Sequence, residues 1–172
     1  MIGIEDDSLL ALVDDKNTVI GSVSFSEYKK NPSKYRVLFI RVLLLSEEKE
    51  FILSADSFFE GSMYDTPYCT ILKLKEDYET AVERLRKALP SVDLRFLMQF
   101  CKKNEKYNFA VCFYFAQQKV EEVKKSQERV VLYPSEIGTD DVMGNDTLFG
   151  EINFIKTHII PNLNLDINGN KA

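Results

Sequence analysis

Tryptophan is absent from the 172 residues, histidine occurs once, and the three cysteines form no C-x-x-C pair. A disulfide framework and a zinc knuckle both need paired ligands at short spacing, so both are excluded. Cys69, Cys101 and Cys112 are accordingly expected as buried thiols. No basic run exceeds a pair, and 27 Asp and Glu outweigh 22 Lys and Arg for a net charge of -5. A surface that coats nucleic acid is not expected, because phosphate binding rests on clustered Lys and Arg. Long apolar runs are also lacking. Val37 to Leu45 is the longest; Arg41 interrupts it, and it is about half of what a bilayer helix needs. No membrane association follows. The opening Met1-Ile2-Gly3-Ile4-Glu5-Asp6-Asp7 is acidic where a secretory signal would be basic, so a cytoplasmic protein is expected.

What is present suits one packed domain: 45% of the residues are apolar and 28% charged, which excludes disorder over most of the length. Leu9 to Val13 and Thr18 to Phe25 flank the polar turn Asp14 to Asn17 and predict a hairpin. Ser26 to Lys34 is a polar connection carrying Asn31-Pro32. Tyr35 to Leu45 is apolar on both faces, as a central strand should be, with Phe51 to Leu53 as its partner. Ala55 to Tyr68, with Gly61, Asp65 and Pro67 among aromatics, predicts a long ordered loop of the kind that borders a site.

From Asp77 to Leu89 the apolar positions Tyr78, Ala81, Val82, Leu85, Ala88 and Leu89 recur at helical spacing, and Pro90 ends the pattern. Leu94 to Cys101 and Asn108 to Gln117 predict a second hairpin, Val130 to Tyr133 a short strand, and Thr147 to Ile160 a final helix. The sum is α+β, with one domain over 1–161 and a polar tail over 162–172.

This element order resembles the Nudix superfamily, with Leu12-Val13-Asp14-Asp15 and Val19-Ile20-Gly21 in the first hairpin and a strand, loop and helix ending at Pro90. It is most similar to the isopentenyl-diphosphate isomerase branch. The resemblance implies an α/β/α sandwich with a mixed sheet and a Nudix box of the form G-x5-E-x7-R-E-U-x-E-E-x-G-U, where U is a bulky aliphatic residue. Here the box runs from Thr70 to Val92, with Glu76 on its first glutamate and Arg84 on its arginine. Cys69 stands just before the box glycine position, where isomerases of this branch carry a catalytic cysteine. In the family the later glutamates hold Mg²⁺ against a diphosphate, but this chain reads Arg84-Leu85-Arg86-Lys87-Ala88-Leu89. Moving the register by one residue does not restore them. The box is degenerate, its glycines are missing, and the strand from Tyr107 to Phe115 lacks the acids that isomerases use.

Several side chains remain as candidates. Glu76, Glu79 and Glu83 form an i, i+3, i+7 stripe that could hold one divalent cation or simply face water near a helix start. Cys69 is either a nucleophile or a packed thiol without a nearby base. Lys73, Lys75, Arg84, Arg86 and Lys87 form the one local positive concentration. They could receive a phosphate, or pair with Asp77, Glu79 and Glu83. Phe58, Phe59, Tyr64 and Tyr68 either cover a pocket or pack in the core. His158 is expected as a surface or capping group.

The leading expectation is a Nudix-fold binding protein that has lost its metal-dependent diphosphatase site and uses no cofactor. Its ligand would be a protein partner or a small phosphorylated molecule held by Lys73, Lys75, Arg84, Phe58, Phe59 and Tyr64, and a homodimer is compatible with that role. The alternative is a Mg²⁺-dependent hydrolase of a nucleoside-diphosphate-linked substrate built on Glu76, Glu79 and Glu83. An isomerase working through Cys69 is a third reading.

Overall fold

The computed structural model describes residues 1–54, 65–89, 93–119, 129–132 and 154–162. The chain forms two compact units, one of Met1–Leu43 and Tyr68–Ala116, the other of Leu44–Pro67 and Gln117–Ala172.

The first unit begins with the expected hairpin, β1 (Leu9–Val13) against β2 (Val19–Ser24), paired antiparallel from Leu9↔Ser24 to Val13↔Val19. Its turn is built by Asp14, whose Oδ1 accepts from the backbone N–H groups of Lys16 and Thr18, both at 2.8 Å, with Asn17 left-handed at φ 61°. Asn tolerates that conformation better than most residues. The stretch expected as a polar connection instead holds a short helix, α1 (Phe25–Lys30). Ser24 caps it by accepting from the Glu27 N–H, while Phe25 and Tyr28, one turn apart, are buried. Asn31-Pro32 ends it, as the residue before proline is pushed out of the helical region.

β3 (Val37–Leu45) is buried at all nine positions, which is what a strand apolar on both faces requires. Phe39 to Val42 pair antiparallel with β5 (Tyr68–Ile71). On β3's other edge lies β7 (Asn108–Gln117), which is itself antiparallel to β6 (Arg95–Lys103). β7 begins beside the start of β3, where Asn108 N–H donates to Pro32 O at 3.2 Å and the Phe39 and Phe109 rings meet edge-on at 5.5 Å. It ends where Gln118 N–H reaches Leu45 O at 3.0 Å, so β3 and β7 run parallel and the sheet is mixed. The β6–β7 turn is closed by Asn104 Oδ1, which accepts from Lys106 and Tyr107.

α2 (Tyr78–Ala88) forms where the periodicity placed it. Asp77 is its N-cap, accepting from Thr80 N–H at 2.7 Å, and the Thr80 side chain together with that backbone bond holds the Asp77 carboxyl below its ordinary pKa. Ala81, Val82 and Leu85 are buried, and Arg86 and Lys87 sit in the last turn, favourable for the helix dipole. Ala88, expected on the buried face, is exposed, while Leu89 turns inward as the C-cap.

In the second unit the last two residues of β3 pair with β4 (Phe51–Ser54), and β4 pairs with β8 (Arg129–Leu132), both antiparallel. Buried Ser46 holds the intervening turn: its Oγ donates to Glu50 Oε2 at 2.7 Å and accepts from the N–H groups of Glu48 and Glu50. The final helix expected over Thr147 to Ile160 differs in form. Ile155–Ile159 is a π-helical turn and Ile160–Asn162 a 3-10 turn, while 147–153 and the tail over 163–172 lie outside the described residues. Among the described residues no helix is long and apolar enough to cross a membrane.

Candidate functional site

The residues aligned with the box are organised around Arg84. Glu76 precedes the α2 N-cap, and its two carboxylate oxygens take Arg84 Nε at 3.2 Å and Nη2 at 2.7 Å, a bidentate pair with both side chains largely buried. Glu76 Oε2 also accepts from Lys73 N–H at 3.1 Å. The rest of the guanidinium is committed as well. Nη1 donates to Ile2 O at 2.8 Å and to Thr70 Oγ1, and Nη2 donates to Ile71 O at 3.2 Å. All five N–H groups are used, so Arg84 has none left for a phosphate. It ties the N-terminal segment, β5 and the loop before α2 to the helix.

The i, i+3, i+7 stripe does not behave as one group. Glu76 turns to Arg84, Glu83 pairs with Arg86, and Glu79 is exposed in the first turn of α2 with no ion pair among the described residues. The expectation that Arg84 pairs with acids at helical spacing is corrected. Its partner lies eight residues back because the chain turns at Lys75, left-handed at φ 67°, and brings Glu76 under the helix. Lys73 and Lys75 lie between β5 and α2, on neither. Lys73 makes an isolated bridge to Leu10, and Lys75 is an exposed turn residue.

A divalent cation does not fit these residues. In the register with Glu76 and Arg84 on the box positions, the later glutamates fall on Leu85, Ala88 and Leu89, none of which offers oxygen. Among the described residues no three His, Cys, Asp or Glu side chains gather as a metal site.

Cys69, on β5 opposite Arg41, is 6% exposed, and its Sγ lies 3.8 Å from Thr70 O. Cys112 is buried too, but Cys101, expected as a buried thiol, is exposed on β6 and takes a bond from Arg36 Nη2 at 2.9 Å. From Gln99 to Lys103 the odd-numbered positions of that strand are the exposed ones, which local composition did not reveal. His158 is exposed, with the Phe154 ring 4.8 Å away. Phe58, Phe59 and Tyr64 lie outside the described residues, whereas Tyr68 opens β5.

The first unit contains a cleft of ≈ 480 Å³, lined by Asn17 and Val19 of the first hairpin, Leu38 and Leu72, Glu76 to Tyr78 at the start of α2, Phe96 and Gln99 of β6, and Cys112 and Tyr114 of β7. Across it the hydroxyls of Tyr78 and Tyr114 bond at 2.7 Å, and Phe96 packs edge-on to Tyr114 at 5.6 Å. Burial, then the Tyr114 bond, pushes the Tyr78 phenol well above its ordinary value. Burial also pushes the Cys112 thiol up, with a bond from Tyr78 partly offsetting it. Both groups are therefore neutral near pH 7, and Cys112 is no nucleophile. Of the candidate site residues among the described ones, only Glu76 lines this cleft. Asn17, Leu38, Phe96 and Tyr114 arrive from a turn and three separate strands, and no local pattern marked them.

No family model and no curated protein matches the chain. Solved structures do match. The crystal structure of DR0079 from Deinococcus radiodurans aligns at a TM-score of 0.56 with 15% identity, over 74% of this chain and 84% of that one. The solution structure of DR0079, described as a hypothetical Nudix protein, aligns at 0.48 with 16% identity over 90% and 96%. A mutT/nudix family protein from Listeria innocua aligns at 0.44 with 12% identity over 58% and 80%. The likeness to DR0079 is one of fold. The chain has the Nudix-like α/β/α sandwich with a mixed sheet that its element order suggested.

Proposed function

We propose that this chain is a Nudix-fold binding protein, nearest the isopentenyl-diphosphate isomerase branch, whose metal-dependent diphosphatase site has been lost. The Glu76–Arg84 pair carries the reading. It joins the two residues that match the box at their required spacing, and in that register Leu85, Ala88 and Leu89 stand where oxygen ligands belong. Leu85 is fully buried in α2, so this face of the helix has been given to packing. The branch assignment rests on Cys69 beside the box glycine position. Turnover through Cys69 is not part of the proposal, because the thiol is buried and β7 carries no acid. On this reading the protein works in the cytoplasm without a metal cofactor, away from membrane and nucleic acid, by holding a small ligand or a protein partner, alone or as a homodimer.

The test is calorimetric titration of the full-length protein with Mg²⁺ and Mn²⁺, with a diphosphatase screen on nucleoside-diphosphate-linked compounds in the same buffer. Neither saturable heat nor turnover is expected. Metal binding that disappears in Glu79→Gln, together with turnover, would restore the hydrolase.

A further inference from the structure

We infer that the cleft beside the start of α2 is a binding site for a planar nitrogen compound that carries N–H donors and no negative charge, such as an amino-heterocycle or aryl amidine. This rests on the non-catalytic reading above and adds the ligand class.

Size comes first. The ≈ 480 Å³ volume falls within the range of about 300–1,000 Å³ typical of small-molecule sites. Apolar surface comes second. Leu38, Leu72, Val19 and Phe96 form walls, and at the rim Val19 is 46% and Phe96 55% exposed, leaving flat hydrocarbon and ring surface in water that a planar ligand would cover.

Charge decides the class. The described lining contains two carboxylates, Glu76 and Asp77, and neither Lys nor Arg. Arg84 neutralises Glu76, but it is not part of the lining and its five donors are engaged. A phosphate or carboxylate entering here would lose water, meet the Asp77 carboxylate and find no free cation among the described lining. The small phosphorylated ligand expected from Lys73, Lys75 and Arg84 therefore does not suit this cleft.

Hydrogen-bonding capacity points the same way. Asn17 Oδ1 is buried and no donor among the described residues reaches it. The residue is held firmly, since its N–H donates to Asp14 O at 3.0 Å within the turn. A buried amide oxygen without a donor is costly, and a ligand N–H that meets it as the Asn17 amide turns toward the cleft would remove that cost. The Tyr78–Tyr114 hydroxyl pair can donate or accept at a second point.

The test uses full-length protein and three probes: 2-aminobenzimidazole, benzimidazole-5-carboxylate with the same ring and opposite charge, and inorganic diphosphate, each followed by calorimetry and amide chemical shifts. The amine is expected to bind at least about tenfold more tightly than the carboxylate, with shifts centred on the cleft, and diphosphate is expected not to bind there. Asn17→Gly keeps the left-handed turn while deleting the acceptor, and should weaken amine binding about fivefold. Gln99→Trp, at an exposed position of the cleft wall, should block it. Binding of the carboxylate as tightly as the amine, or amine binding indifferent to both variants, would overturn the inference. Mg²⁺-dependent turnover would instead overturn the non-catalytic reading, so the two failures are distinguishable.

Discussion

Replacing Arg84 by Met keeps the length of the side chain and deletes five donors. Four acceptors lose bonds at once: the Glu76 carboxylate keeps only Lys73 N–H, Ile71 O and Thr70 Oγ1 lose their donor from Arg84, and Ile2 O keeps only Thr70 Oγ1. Removing one partner of a buried ion pair costs about 3–5 kcal/mol. Arg84 and Glu76 retain 17% and 12% side-chain exposure, so water can partly replace the lost bonds and the low end, about 3 kcal/mol, is the expected loss. For a chain of this size that is a fall in Tm of about 6–12 °C. Urea unfolding and thermal melts of Arg84→Met, Glu76→Gln and the double variant read it out. The double variant should lose about 1–2 kcal/mol less than the sum of the singles, because each single strands the other's charge. A single loss below about 1 kcal/mol, or additivity within about 0.5 kcal/mol, would refute the argument that this pair anchors the N-terminal segment and β5 to α2. Gly3 offers a check from the other side. It sits at φ +63°, and a Cβ there would meet Arg84 Cδ at 2.7 Å, a carbon held in place by the bonds beyond it. Gly3→Ala should therefore cost about 1 kcal/mol or more, and less of it in the Arg84→Met background.

Two further outcomes concern titration and thiols. Burial raises the phenol pKa of Tyr28 and Tyr78 above the ordinary 10.0, so the unfolded chain releases these protons first and stability falls as pH rises past 10.0. The urea midpoint should drop between pH 9 and pH 11 by less in Tyr78→Phe than in the parent, and equal drops would contradict the assignment. With an aromatic disulfide reagent at pH 8 the exposed Cys101 should react fast, while buried Cys69 and Cys112 wait for unfolding. Cys101→Ser should abolish the fast phase, and a fast phase that persists would show one of the other thiols to be accessible.

How much was legible follows from the range over which each signal acts. The first hairpin, β3, α2 and the β6–β7 hairpin were readable because alternation, double-sided apolarity and helical periodicity are written within a dozen residues. The helix α1 was missed although its signal was present: Ser24, then Glu27 three residues on, with Phe25 and Tyr28 one turn apart, is a capping pattern over a buried face. Arg84 was recognised by its spacing from Glu76, yet its pairing with Glu76 was not foreseen, because helical neighbour rules reach three or four residues and this pair spans eight around a left-handed turn.

The cleft had no sequence signature. Asn17, Leu38, Phe96 and Tyr114 come from a turn and three strands, and only the pairing of β3, β6 and β7 brings them to one face. The sequence by itself determined the fold class, since local periodicity decides which faces must be buried, and it determined that Leu85, Ala88 and Leu89 bring no side-chain oxygen to α2 and its end, since residue identity alone settles donor chemistry. Tertiary structure decided that Glu76 is bound to a cation instead of free to take one, and that the open cleft is acidic and acceptor-rich. Those are properties of distance between residues far apart in the chain, which folding alone sets.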